Sequence, residues 1–329
     1  MEPNGTAVFG AKALRQAYGN SALGSKSYTI AIVDAYHSET ALSDLNTYRA
    51  TWGYRPLGSC SGGVQCFTQL HQDGSASTGS TTDEGWAQET VLDLEMATAM
   101  CPNCSLAVIE ASTAAFSDFN SAVETASSLP GVIAISNSYG GPEVSESDYP
   151  AYEAANQKGI AVVASAGDSG YAVESPASFQ HVIAVGGTSL YVSTNGRYAS
   201  ESAWAGSGSG CARGPAPEWQ DASVTHCSGK AIADVSAVAN PATGVAVLYN
   251  GQWIIFGGTS ASAPIIAGIL AAKHNYGVEV SGGQWIWNHR SSLHDVTSGV
   301  NGSCRLFCKS IKGWDGPTGL GTPKGSGAF

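Results

Sequence analysis

Charge is scarce in this sequence, and positive charge is scarcer than negative. Asp, Glu, Lys and Arg make up 12% of the 329 residues, against about 25% in an average soluble protein. Fifteen Lys and Arg stand against 26 Asp and Glu, a formal net charge of −11 at neutral pH. So few bases exclude nucleic acid or an anionic membrane as a partner, because both demand basic patches. Below about pH 4 most carboxylates are neutral, and the 15 bases and seven His are all that remain to carry charge. Self-repulsion in acid is then limited, so the composition permits an acid-dwelling protein. No apolar run is long enough to span a membrane, and no signal peptide is visible. The chain therefore reads as a mature form with any leader removed. It also lacks internal repeats and any composition shift that would mark a linker. Its length and 43% hydrophobic content allow one large α/β domain or two smaller ones.

Cysteine is present in a pattern. The eight fall into four close pairs: Cys60/Cys66, Cys101/Cys104, Cys211/Cys227 and Cys304/Cys308. An even number in local pairs reads as disulfides and an oxidising compartment. The competing reading is metal, since Cys101-Pro102-Asn103-Cys104 is half a zinc site, but no second half has matching spacing. Three Asn-x-Ser/Thr triplets, at Asn4, Asn103 and Asn301, are compatible with secretion from a eukaryote.

Along the chain, apolar β-branched runs alternate with helical spacing. Strands are expected at 28–34, 64–70, 105–110, 132–136, 160–164, 182–185 and 252–256, the last of them buried. Helices are expected at 39–52, from 82 or 83 to about 100, at 116–127 and at 149–158. Such alternation indicates a parallel sheet covered on both faces. Residues 71–82 and 200–230 read as loops, the second closed by Cys211 and Cys227.

The chemistry is concentrated in three places. Gly258-Thr259-Ser260-Ala261-Ser262-Ala263-Pro264 is a small-residue turn, followed by an apolar helical segment from Pro264 to about Lys273. Ser260 would sit at the N-terminus of that helix with N–H donors beside it, which suits a nucleophile whose oxyanion needs donors already in place. An N-capping serine is the plainer alternative. A nucleophile needs a base. None of the seven histidines lies in a Gly-His-type turn, and only His71 is plausibly placed. The alternative is a carboxylate. Glu89 and Asp93 stand four apart on one face of the helix from 83, where paired acids raise each other's pKa and share a proton. A carboxylate base works best near its own pKa, so an acid optimum follows. A solvated helix face is the competing reading, since Glu84 and Glu95 share the helix. Asp168, in Gly167-Asp168-Ser169-Gly170 after the strand 160–164, lies where parallel sheets place their sites. Protonated, it could donate to an oxyanion; as a turn residue it would be ordinary.

With these pieces, the chain resembles the sedolisin family of serine-carboxyl peptidases, acid peptidases on a subtilisin-like fold. Ala13-Leu14-Arg15-Gln16-Ala17-Tyr18-Gly19 is similar to the segment that follows the family's propeptide. Glu89-x-x-x-Asp93, Ser136-Asn137-Ser138-Tyr139-Gly140, Gly167–Gly170 and Gly258–Pro264 are similar to its acid helix, substrate-lining strand end, oxyanion motif and nucleophile motif. The resemblance covers essentially the whole chain. It implies an α/β, subtilisin-like fold with a mostly parallel central sheet and helices on both faces, in one catalytic domain spanning 1–329. It implies Ser260 as nucleophile, Glu89 as general base and acid, Asp93 orienting Glu89, and Asp168 beside the Ser260 N–H as oxyanion donor. Asp34 and Tyr139 take supporting roles, Tyr139 standing where some relatives have Trp. Ser136, Ser138 and Gly140 would line the substrate. One structural calcium ion is implied, held by Asp295, Val296, Ile311, Gly313 and Asp315 in loops at about 295–319. Relatives usually have Gly in place of Ile311. The expected partners are polypeptide substrates and the chain's own propeptide. The expected state is a monomer, secreted or in an acidic lysosome-like or vacuole-like compartment. Tripeptide release, rather than internal cleavage, is the alternative within the family. A histidine-dependent subtilisin and a non-catalytic peptide-binding relative are the rivals to this reading.

Overall fold

The computed structural model of the protein describes residues 8–60, 65–79, 81–275 and 282–329. In chain order its elements are α1 (Ala11–Ala17), β1 (Thr29–Ala35), α2 (Ala41–Thr51), β2 (Gly58–Ser59), β3 (Cys66–His71), α3 (Glu84–Met100), β4 (Ser105–Ala111), α4 (Phe116–Ser128) and β5 (Val132–Asn137). There follow β6 (Gly141–Pro142), α5 (Ala151–Gln157), β7 (Ala161–Ser165), β8 (Glu174–Ser175), β9 (Ile183–Val192), β10 (Tyr198–Ala203), β11 (Gly210–Cys211), α6 (Ala222–Thr225), β12 (Ala231–Ile232) and β13 (Val235–Val238). A hairpin of β14 (Val245–Tyr249) and β15 (Gln252–Phe256) leads into α7 (Thr259–Lys273). Then come α8 (Gly282–Asn288), β16 (Leu293–His294) and β17 (Thr322–Pro323).

Nine strands form one sheet, in the order β10-β9-β7-β5-β1-β4-β3-β2, with β13 also paired to β9. Every pair in it is parallel except β9 with β10. The expected class, a mostly parallel α/β sheet with helices on both faces, is what the chain adopts. Successive side chains of a strand face opposite layers. On β1, Ile30 and Ile32 join the core shared with α1, α2, α3 and α7, while Ala31, Val33 and Ala35 join the core shared with α4 and α5. Asp34 continues the first series, so its carboxyl faces the α3 and α7 layer.

Helix α7 is apolar on every side, and a helix of that kind must be buried; all of Ala261 to Ala272 is. It packs along α3, and a glycine sets how closely. A Cβ added at Gly268 would stand 2.7 Å from Met100 Cβ and 2.8 Å from the Ala97 carbonyl oxygen. The start of α3 follows the expectation, with Asp83 capping the helix by accepting from Trp86 N at 3.0 Å.

The structure corrects several expectations. Helix α7 begins at Thr259, not Pro264, which is its sixth residue. The strand Gln252–Phe256 is not buried. It pairs only with β14, and Trp253 and Ile255 are exposed, because it lies off the main sheet. The strand expected at 182–185 runs on to Val192, and the region 200–230 carries strand and helix pieces as well as loop. Glu95 does not lie on a solvated face. It is buried, with Leu248 N donating to its Oε2 at 2.9 Å. All four cysteine pairs are disulfides, which removes the zinc reading. Asn103 is exposed. Asn301 is buried, with its amide nitrogen donated to Ser207 O at 2.6 Å and Ser209 Oγ at 2.7 Å, so it cannot carry a glycan in the folded chain. Asn4 and Val64 lie outside the described residues.

Candidate active site

Three structural pieces meet at the C-terminal ends of β1, β5 and β7. Helix α3 supplies Glu89 and Asp93, α7 supplies Ser260 in its first turn, and the segment after β7 supplies Asp168. First-turn N–H groups have no intrahelical acceptors, so the Ser260 hydroxyl stands beside backbone donors. Gly258 makes the entry possible. Its φ is +90°, and the position of a Cβ there lies 2.6 Å from Asp168 Oδ2.

Thr259 ties α7 to the Asp168 segment. Its N–H and its hydroxyl both donate to Asp168 Oδ1 at 2.8 Å, and its Oγ1 accepts from Gly167 N at 3.1 Å. One Asp168 oxygen is thus anchored, and Oδ2 is left at the mouth of the site.

Behind Ser260 lies a stack of carboxyls. Glu89 faces Ser260. Its carboxyl is pushed up to about 8, first by burial and then by the Asp34 charge, while the Ser260 hydroxyl favours its ionised form. Asp34 is pushed up to about 7, chiefly by burial, with Glu110 adding to the rise. The Thr90 hydroxyl favours the ionised form of Asp34, but it donates to Trp86 O at 3.0 Å, and neither Asp34 oxygen has a hydrogen-bond partner among the described residues. Asp93 is raised by burial, then by Asp34 and Glu89. Ser138 Oγ lies 2.8 Å from Asp93 Oδ1 and 3.3 Å from Ser260 O. Asp34 and Asp93 are buried and Glu89 half-buried at the cleft; three carboxyls at such range cannot all ionise, so they hold shared protons.

The remaining expected residues fall differently. Tyr139 closes one wall of a cleft of about 350 Å³ that also contains Glu89 and Trp86. Its hydroxyl, however, is turned inward, donating to Asn137 Oδ1 at 2.7 Å and meeting Tyr152 OH at 2.9 Å, and its ring stacks on Phe119. Ser136 is fully buried, so its side chain does not line a substrate path, contrary to expectation. Ser138 and Gly140 line that cleft, with the Ser138 hydroxyl turned to Asp93. Of the three residues expected to line the substrate, only Gly140 is exposed. No histidine joins Ser260. His37 pairs with Glu110 at 2.9 Å, and His71 lies 3.8 Å from Glu110. Sequence reasoning missed the Thr259 clamp and the second acceptor of Ser138, because both depend on distances between remote segments.

The C-terminal loops bring Asp295 and Asp315 together. Asp315 is buried, with Ile311 N donating to its Oδ2 at 2.9 Å and Thr318 N to its Oδ1 at 3.0 Å; Gly313 N donates to Asp295 Oδ2 at 3.0 Å. Burial above all, with the Asp295 charge behind it, pushes Asp315 up to about 7. Gly313 has φ of +87°, while Ile311 is not among the residues of positive φ, so a side chain at 311 fits its backbone. Among the described residues, no three His, Cys, Asp or Glu side chains converge on a metal position. A site of two carboxylates completed by carbonyls would suit a hard cation such as calcium, and a buried carboxylate, Asp315, with the exposed Asp295 beside it fits such an ion.

Residues 75–277 match the sequence profile of the Subtilase family. Kumamolisin from Bacillus sp. (strain MN-32) is 32% identical over 293 residues, covering 77% of this chain and 52% of that protein. The chain belongs to the sedolisin branch of the subtilase family. Tripeptidyl-peptidase 1 of Dictyostelium discoideum is 33% identical over 121 residues, 32% of this chain and 20% of that protein. A solved structure of Pseudomonas sedolisin, a serine-carboxyl proteinase complexed with two molecules of pseudo-iodotyrostatin, superposes with a TM-score of 0.81. That comparison has 24% identity and covers 97% of this chain and 96% of that one, so it speaks for the fold. The chain spans about half the length of kumamolisin and less of the other curated relative.

Proposed function

We propose that this sedolisin-branch chain is the catalytic domain of an acid-acting serine-carboxyl endopeptidase. The observation that carries the reading is the apposition of Ser260 to Glu89 in front of the buried Asp93 and Asp34 carboxyls, with no histidine at hand. Ser260 Oγ attacks the scissile carbonyl while Glu89 takes its proton. The oxyanion accepts from the Ser260 N–H and from a protonated Asp168, whose anchored Oδ1 leaves Oδ2 to donate. Glu89 then protonates the leaving amine, and water hydrolyses the acyl-enzyme with Glu89 again as base. Asp93, held by Ser138, orients Glu89 and shares its proton.

The two protonation demands oppose each other. Donation from Asp168 to the oxyanion requires its carboxyl to carry a hydrogen. The carboxyl stack must have lost one. Part of the rise at Glu89 comes from charge on Asp34 and Asp168. Where Asp34 holds its proton its part of that rise vanishes, so the first proton leaves the stack at lower pH than the next.

Calcium belongs to the same reading. Asp295 and Asp315 would hold it with the carbonyls of Val296, Ile311 and Gly313, and it would neutralise the paired carboxylates and fix the loops. The reading makes 1–329 one domain, monomeric, secreted or in an acidic compartment, acting on polypeptides and restrained by its own propeptide before activation.

The test is a pH–rate profile on internally quenched peptides for the parent, Ser260→Ala and Glu89→Gln. Activity that peaks in acid and is lost by at least about 10³-fold in both variants is expected. A neutral optimum that survives Glu89→Gln would overturn the carboxylate base. Cleavage positions separate internal cutting from tripeptide release, the activity in the name of the Dictyostelium relative.

A further inference from the structure

Glu174 opens β8, which pairs antiparallel with β6 so that Glu174 stands opposite Pro142 and Ser175 opposite Gly141. Its carboxylate lies against two glycines, one from the segment after β5 and one from the segment after β7. A Cβ added at Gly140 would collide with Glu174 Oε2, and one added at Gly167 would lie 2.8 Å from it. Gly140 follows Ser138 and Tyr139 at the end of β5, and Gly167 immediately precedes Asp168. The carboxylate therefore sits in the slot between the two segments that flank Ser260.

That position has a meaning for a bound peptide. The attacked carbonyl must lie at Ser260 Oγ with its oxygen toward Asp168. A side chain on the adjoining α-carbon that runs between Gly167 and Gly140 would meet Glu174. The absence of side chains at both glycines lets the Glu174 carboxylate pack against the backbone of each segment.

Among the described residues no cation answers the Glu174 charge. Its side chain has no hydrogen bond or ion pair among the described residues. Arg213 is paired with Glu143 at 3.6 Å, and Lys230 with Asp234 at 3.6 Å in the interior. Glu174 is half-buried, and Asp168 is a second acid facing it. A half-buried, unpaired carboxylate at a slot floor is an arrangement that a cation completes.

We infer that Glu174 selects a cationic side chain on the residue that donates the attacked carbonyl, so that the chain cleaves after Lys or Arg. The inference rests on the serine-carboxyl reading of Ser260 and Glu89. Burial and the Asp168 charge both raise the Glu174 carboxyl above its ordinary value, so the preference weakens toward the acid end of the active range as Glu174 takes up a proton. A cation in the slot opposes that uptake.

The experiment compares kcat/KM on quenched peptides that differ only in the residue before the scissile bond: Lys, Arg, norleucine, Gln or Glu. Parent, Glu174→Gln and Glu174→Lys are measured at the pH of the parent's optimum and one unit above it. Lys and Arg are expected to exceed norleucine roughly tenfold or more in the parent, the scale of a hydrogen bond to a charged group. The Lys-to-norleucine ratio is expected to collapse in Glu174→Gln, and Glu174→Lys to shift preference toward Glu. Any norleucine cleavage by a variant reports that it is folded. Should a variant not fold, the parent's own Lys-to-norleucine ratio decides. Equal cleavage after norleucine and Lys by the parent, or a cationic preference that survives Glu174→Gln, would overturn the assignment while leaving the serine-carboxyl reading intact. Absence of all cleavage by the folded parent would overturn both.

Discussion

Ser138 has one hydroxyl proton and two acceptors within reach. A helical carbonyl is normally met by the N–H four residues on, but four residues after Ser260 stands Pro264, which has none. The Ser260 carbonyl takes Ser138 Oγ at 3.3 Å instead, and the same hydroxyl lies 2.8 Å from Asp93 Oδ1. Both contacts are satisfied together when Asp93 is protonated, because Asp93 then donates to Ser138 and Ser138 donates to Ser260 O. Burial, then the Asp34 and Glu89 charges, push Asp93 toward the protonated form, while a Ser138 hydroxyl that donates to it works the other way. Ser138→Ala is expected to cost about 1–3 kcal/mol, the penalty for buried groups left without partners, and to lower kcat more than it raises KM. In a Pro264→Ala background the helix regains an N–H for Ser260 O, so the same substitution should cost less. Urea unfolding of the four proteins in the cycle measures the coupling, and strictly additive losses would refute the bridge. The residues of the proposed site were legible because each sits in a local pattern: Ser260 in a small-residue turn before an apolar helix, Glu89 and Asp93 one turn apart, Asp168 after a buried strand. The bridge, the Thr259 clamp and the Glu174 slot were not legible. Each joins segments many residues apart in sequence, and spacing along a chain carries no information about them.

At the scale of elements, the C-terminal loops give the sharpest case. Asp295 is exposed and Asp315 buried. Without a cation, Asp295→Asn removes a like charge from beside Asp315 and keeps an acceptor for Gly313 N, so it should be neutral or slightly stabilising. With calcium bound, the same change removes a ligand charge. The parent is therefore expected to melt several degrees higher in millimolar calcium than in chelator, as ligand linkage requires. Asp295→Asn is expected to match the parent in chelator and to gain little from calcium. Scanning calorimetry of both proteins in both buffers decides it, and a parent indifferent to chelation would remove the ion. Other elements show how far local pattern reaches. The apolar spacing of α3 and the β-branched run of β1 each specify one state, and both formed close to where they were expected. Strand β15 has the same apolar character, but its hairpin partner is β14 and not the main sheet, so Trp253 and Ile255 stay exposed. Pro264 marks a helix start in isolation. Here α7 extends to Thr259 in front of it, because Ser138 supplies the hydrogen bond the proline cannot.

For the whole molecule, the decisive variable is pH. Several carboxyls are buried without a cation. Asp34 is raised from an ordinary 3.8 to about 7, Glu89 from 4.5 to about 8, and Glu201 from 4.5 to about 7, each chiefly by burial. Glu201 is the structural one. It accepts from Tyr18 OH at 2.9 Å, from Thr188 Oγ1 at 2.6 Å and from Thr322 Oγ1, which joins the chain after α1 to β9, β10 and β17. In each case the folded state holds a proton that the unfolded chain releases near pH 4. Stability is then complete below about pH 4 and falls as pH rises, levelling off only above about pH 8. With a pKa unit worth about 1.4 kcal/mol, the summed loss is on the order of several kcal/mol, a large share of a typical folding free energy. The net charge of −11 at neutral pH adds self-repulsion in the same direction. The Ser260→Ala protein, which would not digest itself, is expected to melt highest near pH 4 and progressively lower to pH 8 at constant calcium. Glu201→Gln should flatten the part of that decline below about pH 7, because it removes one titrating group without changing the overall charge balance by more than one. A melting temperature that stays level or rises between pH 4 and pH 8 would mean that water or rearrangement relieves these carboxyls, and that acid tolerance rests on the scarcity of bases alone.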